Sequence, residues 1–284
     1  MLHVEILSVT YTERQELRMS IKNITDHTGR LVTYSYPPQR IVSLCPSLTD
    51  TLFALGLNER IVGRTQFCIH PAKEVQNVRR VGGTKQIKTD IINELNPDLI
   101  IAEKEENPKE MVESLAKSYP VYVTDVESYE DALRMITDLG EVTGTAKAAH
   151  AMVCDINAAF SFLKPASGIR VAYLIWQKPY MAAGNHTYIH SLLEKCGFVN
   201  VFKDAPGRYP QITEDDLRAA NPDYIFLSSE PFPFQETHVQ LFREMIQGSK
   251  PVLVDGEMFS WYGVHMKKAA PYFQRLLTKI SSEK

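Results

Sequence analysis

One motif occurs twice, and that repetition constrains the fold more than any other feature of the chain. Asp90-Ile-Ile-Asn-Glu-Leu-Asn-Pro-Asp-Leu-Ile-Ile101 recurs as Asp215-Asp-Leu-Arg-Ala-Ala-Asn-Pro-Asp-Tyr-Ile-Phe226. Each copy reads as a short helix halted at Asn-Pro, because proline disfavours helix in the residue before it. A buried strand follows in each. The copies flank Ser128–Leu163, where Ala132, Met135, Ile136 and Leu139 share one helical face. Gly140 and Gly144 interrupt the stretch, and the part from Thr145 to Leu163 would span roughly 28 Å at ~1.5 Å per residue, enough to bridge two bodies. A repeat on each side of a helical rod predicts two related α/β lobes rather than one sheet. The expected organisation is an N-terminal extension over 1–24, a lobe over 25–127, a helical segment with the bridging helix over 128–165, and a second lobe over 166–284.

The first lobe opens on Arg40-Ile-Val-Ser-Leu-Cys-Pro-Ser-Leu-Thr-Asp50. Arg40–Cys45 has the length of a buried strand and Pro46 ends it. Ser47 stands where an N-cap belongs, with Asp50 completing an acidic variant of the capping box. Leu48, Leu52 and Leu55 recur at helical spacing, Gly56 suits a left-handed helix end, and Ile61–Gly63 begins the next strand. Strand, helix and strand make a parallel β-α-β unit, so the lobes are expected to be Rossmann-like, each with a crevice beyond the carboxyl ends of its strands. Thr25–Tyr36 reads as a hairpin turned at Gly29. Further strands are expected at Leu99–Ala102, Val121–Val123, Val171–Ile175, Tyr224–Leu227 and Val252–Val254, and a helix over Asn185–Cys196.

A formal net charge of -3 over 284 residues lacks the basic excess of a nucleic-acid binder. No apolar run approaches the ~18 residues of a membrane span. Met1–Ser20, with Glu5, Glu13 and Glu16, does not read as a signal peptide, and Met19 offers an alternative start. Cys45, Cys68, Cys154 and Cys196 form no CxxC and read as free thiols.

A ligand held between such lobes touches residues just past each strand. In the first lobe these are Pro46-Ser47, Gln66–His70 and Glu103–Asn107. In the second they are Trp176–Tyr180, Ser228–Glu230 and Asp255–Tyr262. The candidate ligand-binding residues are Gln66, Phe67, Trp176, Tyr180, Phe259, Trp261 and Tyr262, a set whose rings suit a large, planar, partly apolar ligand. Cys68 and His70, one residue apart, are a candidate metal pair with nearby carboxylates or His265. Gly82-Gly-Thr-Lys85 lacks the spacing of a phosphate loop, and neither G-x-S-x-G nor H-E-x-x-H is present. Nothing here requires catalysis, so no catalytic residue and no enzyme activity are expected. Asp90 and Asp215 occupy matching places in the repeat, in the first turn of a helix. Complementing the helix dipole accounts for either one, and docking a basic partner accounts for the pair.

The Arg40–Asp50 stretch with Phe53-Ala-Leu-Gly, the Asn96-Pro-Asp-Leu-Ile-Ile strand and Tyr209-Pro-Gln-Ile-Thr resemble the vitamin B12-binding protein group of the helical-backbone metal receptors. These are substrate-binding proteins of ABC importers for cobalamin, ferric siderophores and haem. The resemblance runs from about Thr25 to the C-terminus, and Phe67-Cys-Ile-His-Pro, Gly82-Gly-Thr-Lys, Glu105-Glu-Asn and Ser260-Trp-Tyr-Gly extend it. It implies the class III periplasmic binding protein fold and a monomer carrying a cobalt or iron chelate, corrinoid first, with no cofactor of its own. It also implies a permease dimer as partner, met by Asp90 and Asp215 where family members usually carry glutamate, and an extracytoplasmic address. The rival is a cytoplasmic metal-handling protein or enzyme on the same scaffold using Cys68, His70 and nearby carboxylates. A purely structural two-lobe protein would bind neither ligand nor metal.

Overall fold

A computed structural model describes residues 20–282. The readings of Met1–Arg18 as an extension, and of Met19 as a start, lie outside them. The hairpin pairs β1 (Ser20–Thr25) with β2 (Leu31–Tyr36), so its first strand begins inside the segment read as extension. Val32 and Tyr34 enter the core, where the Tyr34 hydroxyl donates to the Val142 carbonyl at 3.1 Å.

Two sheets follow, one per expected lobe. The first takes β3 (Ile41–Ser43), β4 (Ile61–Arg64), β5 (Arg79–Arg80), β6 (Leu99–Glu103) and β7 (Val121–Thr124), in the parallel order β5-β4-β3-β6-β7. The chain winds outward from β3 to β5, then returns to lay β6 on the other flank of β3. That reversal is a topological switch point, and it opens a crevice beyond the carboxyl ends of β3 and β6. Helices α1 (Pro46–Ala54), α2 (Thr89–Leu95) and α3 (Lys109–Ala116) connect the strands. Ser47 is not the N-cap of α1: Cys45 holds that position, and Pro46 at N1 has its φ set for helix and no N–H to satisfy.

Ser128–Leu163 folds as two helices, with the break at Gly144, one of the two glycines expected to interrupt it. In α4 (Tyr129–Thr143), Ser128 caps the start by accepting from the Asp131 N–H, and Gly144 ends it at φ 77°. α5 (Ala146–Ser161) then folds back against it. Gly140 makes this possible, since a Cβ there would lie 2.4 Å from the Ala149 Cβ.

The second sheet is built from β8 (Arg170–Trp176), β9 (Tyr180–Ala182), β10 (Val199–Asn200), β11 (Gln211–Ile212), β12 (Tyr224–Ser228) and β13 (Lys250–Val254). Its order is β11-β9-β8-β12-β13, with β10 also on β8. β12 runs parallel to β8, so a second crevice opens past their ends. The helices here are α6 (Tyr188–Lys195), α7 (Glu214–Ala220), α8 (Glu236–Met245), α9 (Gly256–Ser260) and α10 (Met266–Ser282).

The repeated motif is fastened by the same hydrogen bonds in each lobe. Asp98 accepts from the Arg40 N–H at 2.8 Å, and Asp223 accepts from the Arg170 N–H at 2.7 Å. The two guanidinium groups donate to the last carbonyls of α2 and α7, those of Leu95 and Ala220. Asn96 and Asn221 turn the chain in the left-handed conformation, which asparagine tolerates. One continuous core joins the lobes: Ile41 and Leu48 of the first, Met135 and Ile136 of α4, and Phe226 and Phe273 of the second belong to a single apolar cluster. A smaller cluster backs the outer face of each sheet. The class expected from the repeat therefore holds, as two α/β lobes joined through a helical layer, the second sheet being mixed because β9 runs antiparallel to both β8 and β11.

Candidate ligand-binding cleft

The carboxyl ends of β3, β6, β8 and β12 converge on a cavity of about 610 Å³ between the lobes. That size is typical of a small-molecule site. The first lobe contributes Cys45 and Ser47 after β3, Gln66 and Phe67 after β4, and Glu103 at the end of β6 with Glu105 and Glu106 beyond it. Asn107, 2% exposed, fixes these turns together. Its side chain accepts from the Glu103 N–H at 2.8 Å and donates to the carbonyls of Leu44 at 3.1 Å and Thr84 at 2.9 Å. The second lobe adds Tyr173 and Ile175 of β8, Glu230 after β12, and Ser260, Trp261 and Tyr262 at the end of α9.

The carboxylates are held in distinct ways. Glu103, 2% exposed, accepts from the N–H groups of Glu105 and Glu106 through one oxygen, each at 2.8 Å. Burial pushes its carboxyl up to about 7 against these bonds. Glu230 accepts from the Ser260 hydroxyl at 2.5 Å and the Trp261 indole N–H at 3.0 Å, and burial raises it too. Glu105 pairs across the lobes with Arg208 at 2.8 Å. The Cys45 thiol lies 3.5 Å from the Tyr262 hydroxyl, and burial raises both groups well above their usual range. Such a cavity can hold a ligand between aromatic faces and carboxylate acceptors.

Beside the cavity the lobes meet along α1. Gly263, at φ 76°, lies so close that an added Cβ would be 1.9 Å from the Thr51 Oγ1. The Val264 N–H donates to that same hydroxyl at 3.2 Å. His265, 1% exposed, approaches Asp50 of α1 at 3.5 Å on one ring nitrogen and Glu257 at 3.5 Å on the other. His70 of the first lobe reaches the same Glu257 oxygen at 3.2 Å.

Of the sequence candidates, the fold brings Gln66, Phe67, Trp261 and Tyr262 to the cavity. It places the other three elsewhere. Trp176 packs edge-on against Phe232, with ring centres 5.8 Å apart. Tyr180 lies against Phe242, and Phe259 is wholly buried between Tyr173 and Phe273. Cys68 and His70 diverge. The thiol takes hydrogen bonds with the hydroxyls of Thr49 and Thr65, each at 3.1 Å, while the imidazole joins Glu257, Trp261 and His265. Among the described residues no group of three His, Cys, Asp or Glu is arranged to hold a metal ion. Asp90 and Asp215 are exposed in the first turns of α2 and α7, with Asp215 paired to Arg218 at 2.8 Å.

Tyr173, Tyr188 and Tyr209 line the cavity but were not sequence candidates. Tyr188 begins α6, and Tyr209 precedes β11. A helix start facing the strand ends is a usual contributor to such crevices, and that was the available signal for Tyr188.

The periplasmic binding protein family matches residues 41–247. The vitamin B12-binding protein of Pectobacterium carotovorum is 26% identical over 263 residues, spanning 89% of this chain and 94% of its own length. The crystal structure of the periplasmic vitamin B12 binding protein BtuF of Vibrio cholerae superposes with a TM-score of 0.72 at 22% identity, covering 87% of this chain and 99% of that one. The periplasmic haem binding protein HutB of Vibrio cholerae gives 0.71 at 20% identity, covering 84% and 98%. These relatives are binding proteins rather than enzymes, and the chain belongs to the periplasmic binding protein family.

Proposed function

We propose that this protein captures a metal chelate in the interlobe cleft and delivers it to an ABC permease, a corrinoid being the first choice and haem or a ferric siderophore the next. The observation that carries the reading is the ring-walled cavity of about 610 Å³ at the two switch points, in a chain whose curated relatives are named for vitamin B12. Phe67 from one lobe and Trp261 and Tyr262 from the other supply faces for a planar macrocycle. Gln66 and the glutamates supply hydrogen-bond partners at its rim. The exposed carboxylates of Asp90 and Asp215, one per lobe, would meet basic residues of the permease in the periplasm. Titration calorimetry with cyanocobalamin, haemin and a ferric hydroxamate tests the reading. A dissociation constant at or below about 10 µM for one of them is expected, and the absence of heat from all three overturns it.

A further inference from the structure

Charge sets this cleft apart from an indifferent slot for flat molecules. Glu103, Glu105, Glu106 and Glu230 line it, and no Lys or Arg is among its lining residues. Arg208 offsets Glu105 from outside. Glu230 is neutralised by no cation: its described partners are a hydroxyl and an indole N–H. Glu106 makes no ion pair with the described residues.

The repeat shows which of these carboxylates the fold itself requires. Glu103 ends β6 where Ser228 ends the matching β12. Each side chain binds the backbone two residues on: Glu103 accepts from the Glu105 N–H, while the Ser228 hydroxyl donates to the Glu230 carbonyl at 2.6 Å. A small neutral hydroxyl can therefore close the same turn. At position 103 the chain instead buries a carboxylate, which carries a desolvation penalty, and this carboxylate lines the cavity. Tyr188 is a second, independent sign of a ligand. Its ring lines the cavity, and its buried hydroxyl has no hydrogen-bond partner among the described residues.

We infer that the cleft selects its chelate by charge, taking a cationic metal macrocycle rimmed with amide N–H donors in preference to one that carries phosphate or carboxylate groups. The inference rests on the chelate-receptor reading above and narrows it. Carboxylates against low-dielectric walls raise the local concentration of cations, and the faces of Trp261 and Tyr262 attract positive charge as well. Amide donors satisfy the free carboxylate oxygens. A propionate or phosphodiester placed there would face Glu106 and Glu230 with no basic side chain among the lining residues to answer it.

The test titrates the full chain with three probes at pH 7.5 and low salt, following tryptophan quenching. The probes are aquocyanocobinamide, which is cationic and bears amides; cyanocobalamin, which adds a phosphodiester; and haemin, a dicarboxylate. Cobinamide is expected to bind about tenfold tighter than cyanocobalamin, the scale of one unpaired charge contact, and haemin weakest of the three. Glu106→Gln and Glu230→Gln, with thermal melts as folding controls, should each weaken cobinamide more than cyanocobalamin and so erase most of the cobinamide advantage. Raising salt on the wild-type protein, which needs no variant, should weaken cobinamide selectively. Haemin binding as tightly as cobinamide, or a preference untouched by salt and by both variants, overturns the charge inference while the chelate reading stands. Failure of all three probes to bind overturns both.

Discussion

Arg40 and Arg170 do the same work at the start of the two sheets, each donating to the last turn of the helix that leads into the neighbouring strand while Asp98 or Asp223 holds its backbone N–H. At the other end of those strands the lobes part company. The first ends β6 in a buried carboxylate and a run of glutamates, whereas the second ends β12 in a serine whose turn lies under Ser260 and Trp261. The strand starts face away from the cleft and answer to folding alone, so one solution serves twice. The strand ends face the ligand, and there the two copies differ. If that division is right, changes at the ends should alter binding and its pH dependence, and changes at the starts should alter stability in both lobes.

The largest effect is expected at Glu103. Burial raises its carboxyl in the folded chain to about 7, against an ordinary value near 4.5. The folded state then holds a proton that the unfolded state has released, so the protein loses stability as pH rises from about 4.5 through 7. At about 1.4 kcal/mol per pKa unit the loss amounts to roughly 3 kcal/mol, complete by about pH 8. Urea melts at pH 5 and pH 8 should show it. Glu103→Gln, which keeps an acceptor for the Glu105 and Glu106 N–H groups, should flatten the dependence. A cationic probe should correspondingly bind the wild type more tightly at pH 8 than at pH 6. A variant whose melts track the wild type at both pH values would break the contrast with Ser228.

A smaller and paired effect belongs to the strand starts. Asp98→Ala removes the acceptor for the N–H groups of both Gln39 and Arg40, at 2.7 and 2.8 Å, from a partly buried site. A loss of about 2–3 kcal/mol is expected, since charged hydrogen bonds are worth ~1.5–3 kcal/mol. Asp223→Ala removes one acceptor at an exposed position and should lose about 1 kcal/mol. Neither should change the affinity for any chelate. A binding defect in either would show that the starts are not purely structural.

The same division explains what could be read from the sequence. Asn-Pro-Asp is local chemistry, a left-handed helix stop followed by a carboxylate that ties the next strand, and its duplication was enough to reach two lobes. The N-terminus of α1 was misplaced by one choice: Ser47 looked like a cap, but Pro46 had already fixed the first helical residue. The candidate rings divided according to side-chain direction, which strand ends do not disclose. Ile175 lines the cavity, so its neighbour Trp176 leaves the strand on the opposite face, toward Phe232. Phe259 lies one residue before the lining Ser260, Trp261 and Tyr262, yet the short α9 turns it into the core. Tyr188 reaches the cleft from a helix start, which the sequence could have signalled, whereas Tyr209 reaches it from a loop that only the folded chain brings there. The closeness of α4 and α5 rests on Gly140 meeting Ala149, a tertiary contact with no local signature.

The smallest effect on stability, and the finest test of how alike the lobes are, lies at Asp90 and Asp215. Both sit in the first turn of a repeat helix, but their settings differ. Asp90 is the sole acidic residue in the first turn of α2, whereas Asp215 stands between Glu214 and Asp216 and is paired with Arg218. An exposed carboxylate at a helix start contributes only ~0.3–1 kcal/mol, so Asp90→Ala and Asp215→Ala should leave the urea midpoint nearly unchanged. On the proposed reading, docking to a permease should separate them. Removing Asp90 strips its helix start of negative charge, while removing Asp215 leaves Glu214 beside the vacated position, with Arg218 still bound to it at 3.0 Å. Vesicles carrying the permease should therefore retain the Asp90→Ala protein less well than the Asp215→Ala protein. Equal losses would mean that the partner reads the two lobes as equivalent despite their unequal charge, and unchanged retention of both would return these aspartates to the helix dipole alone.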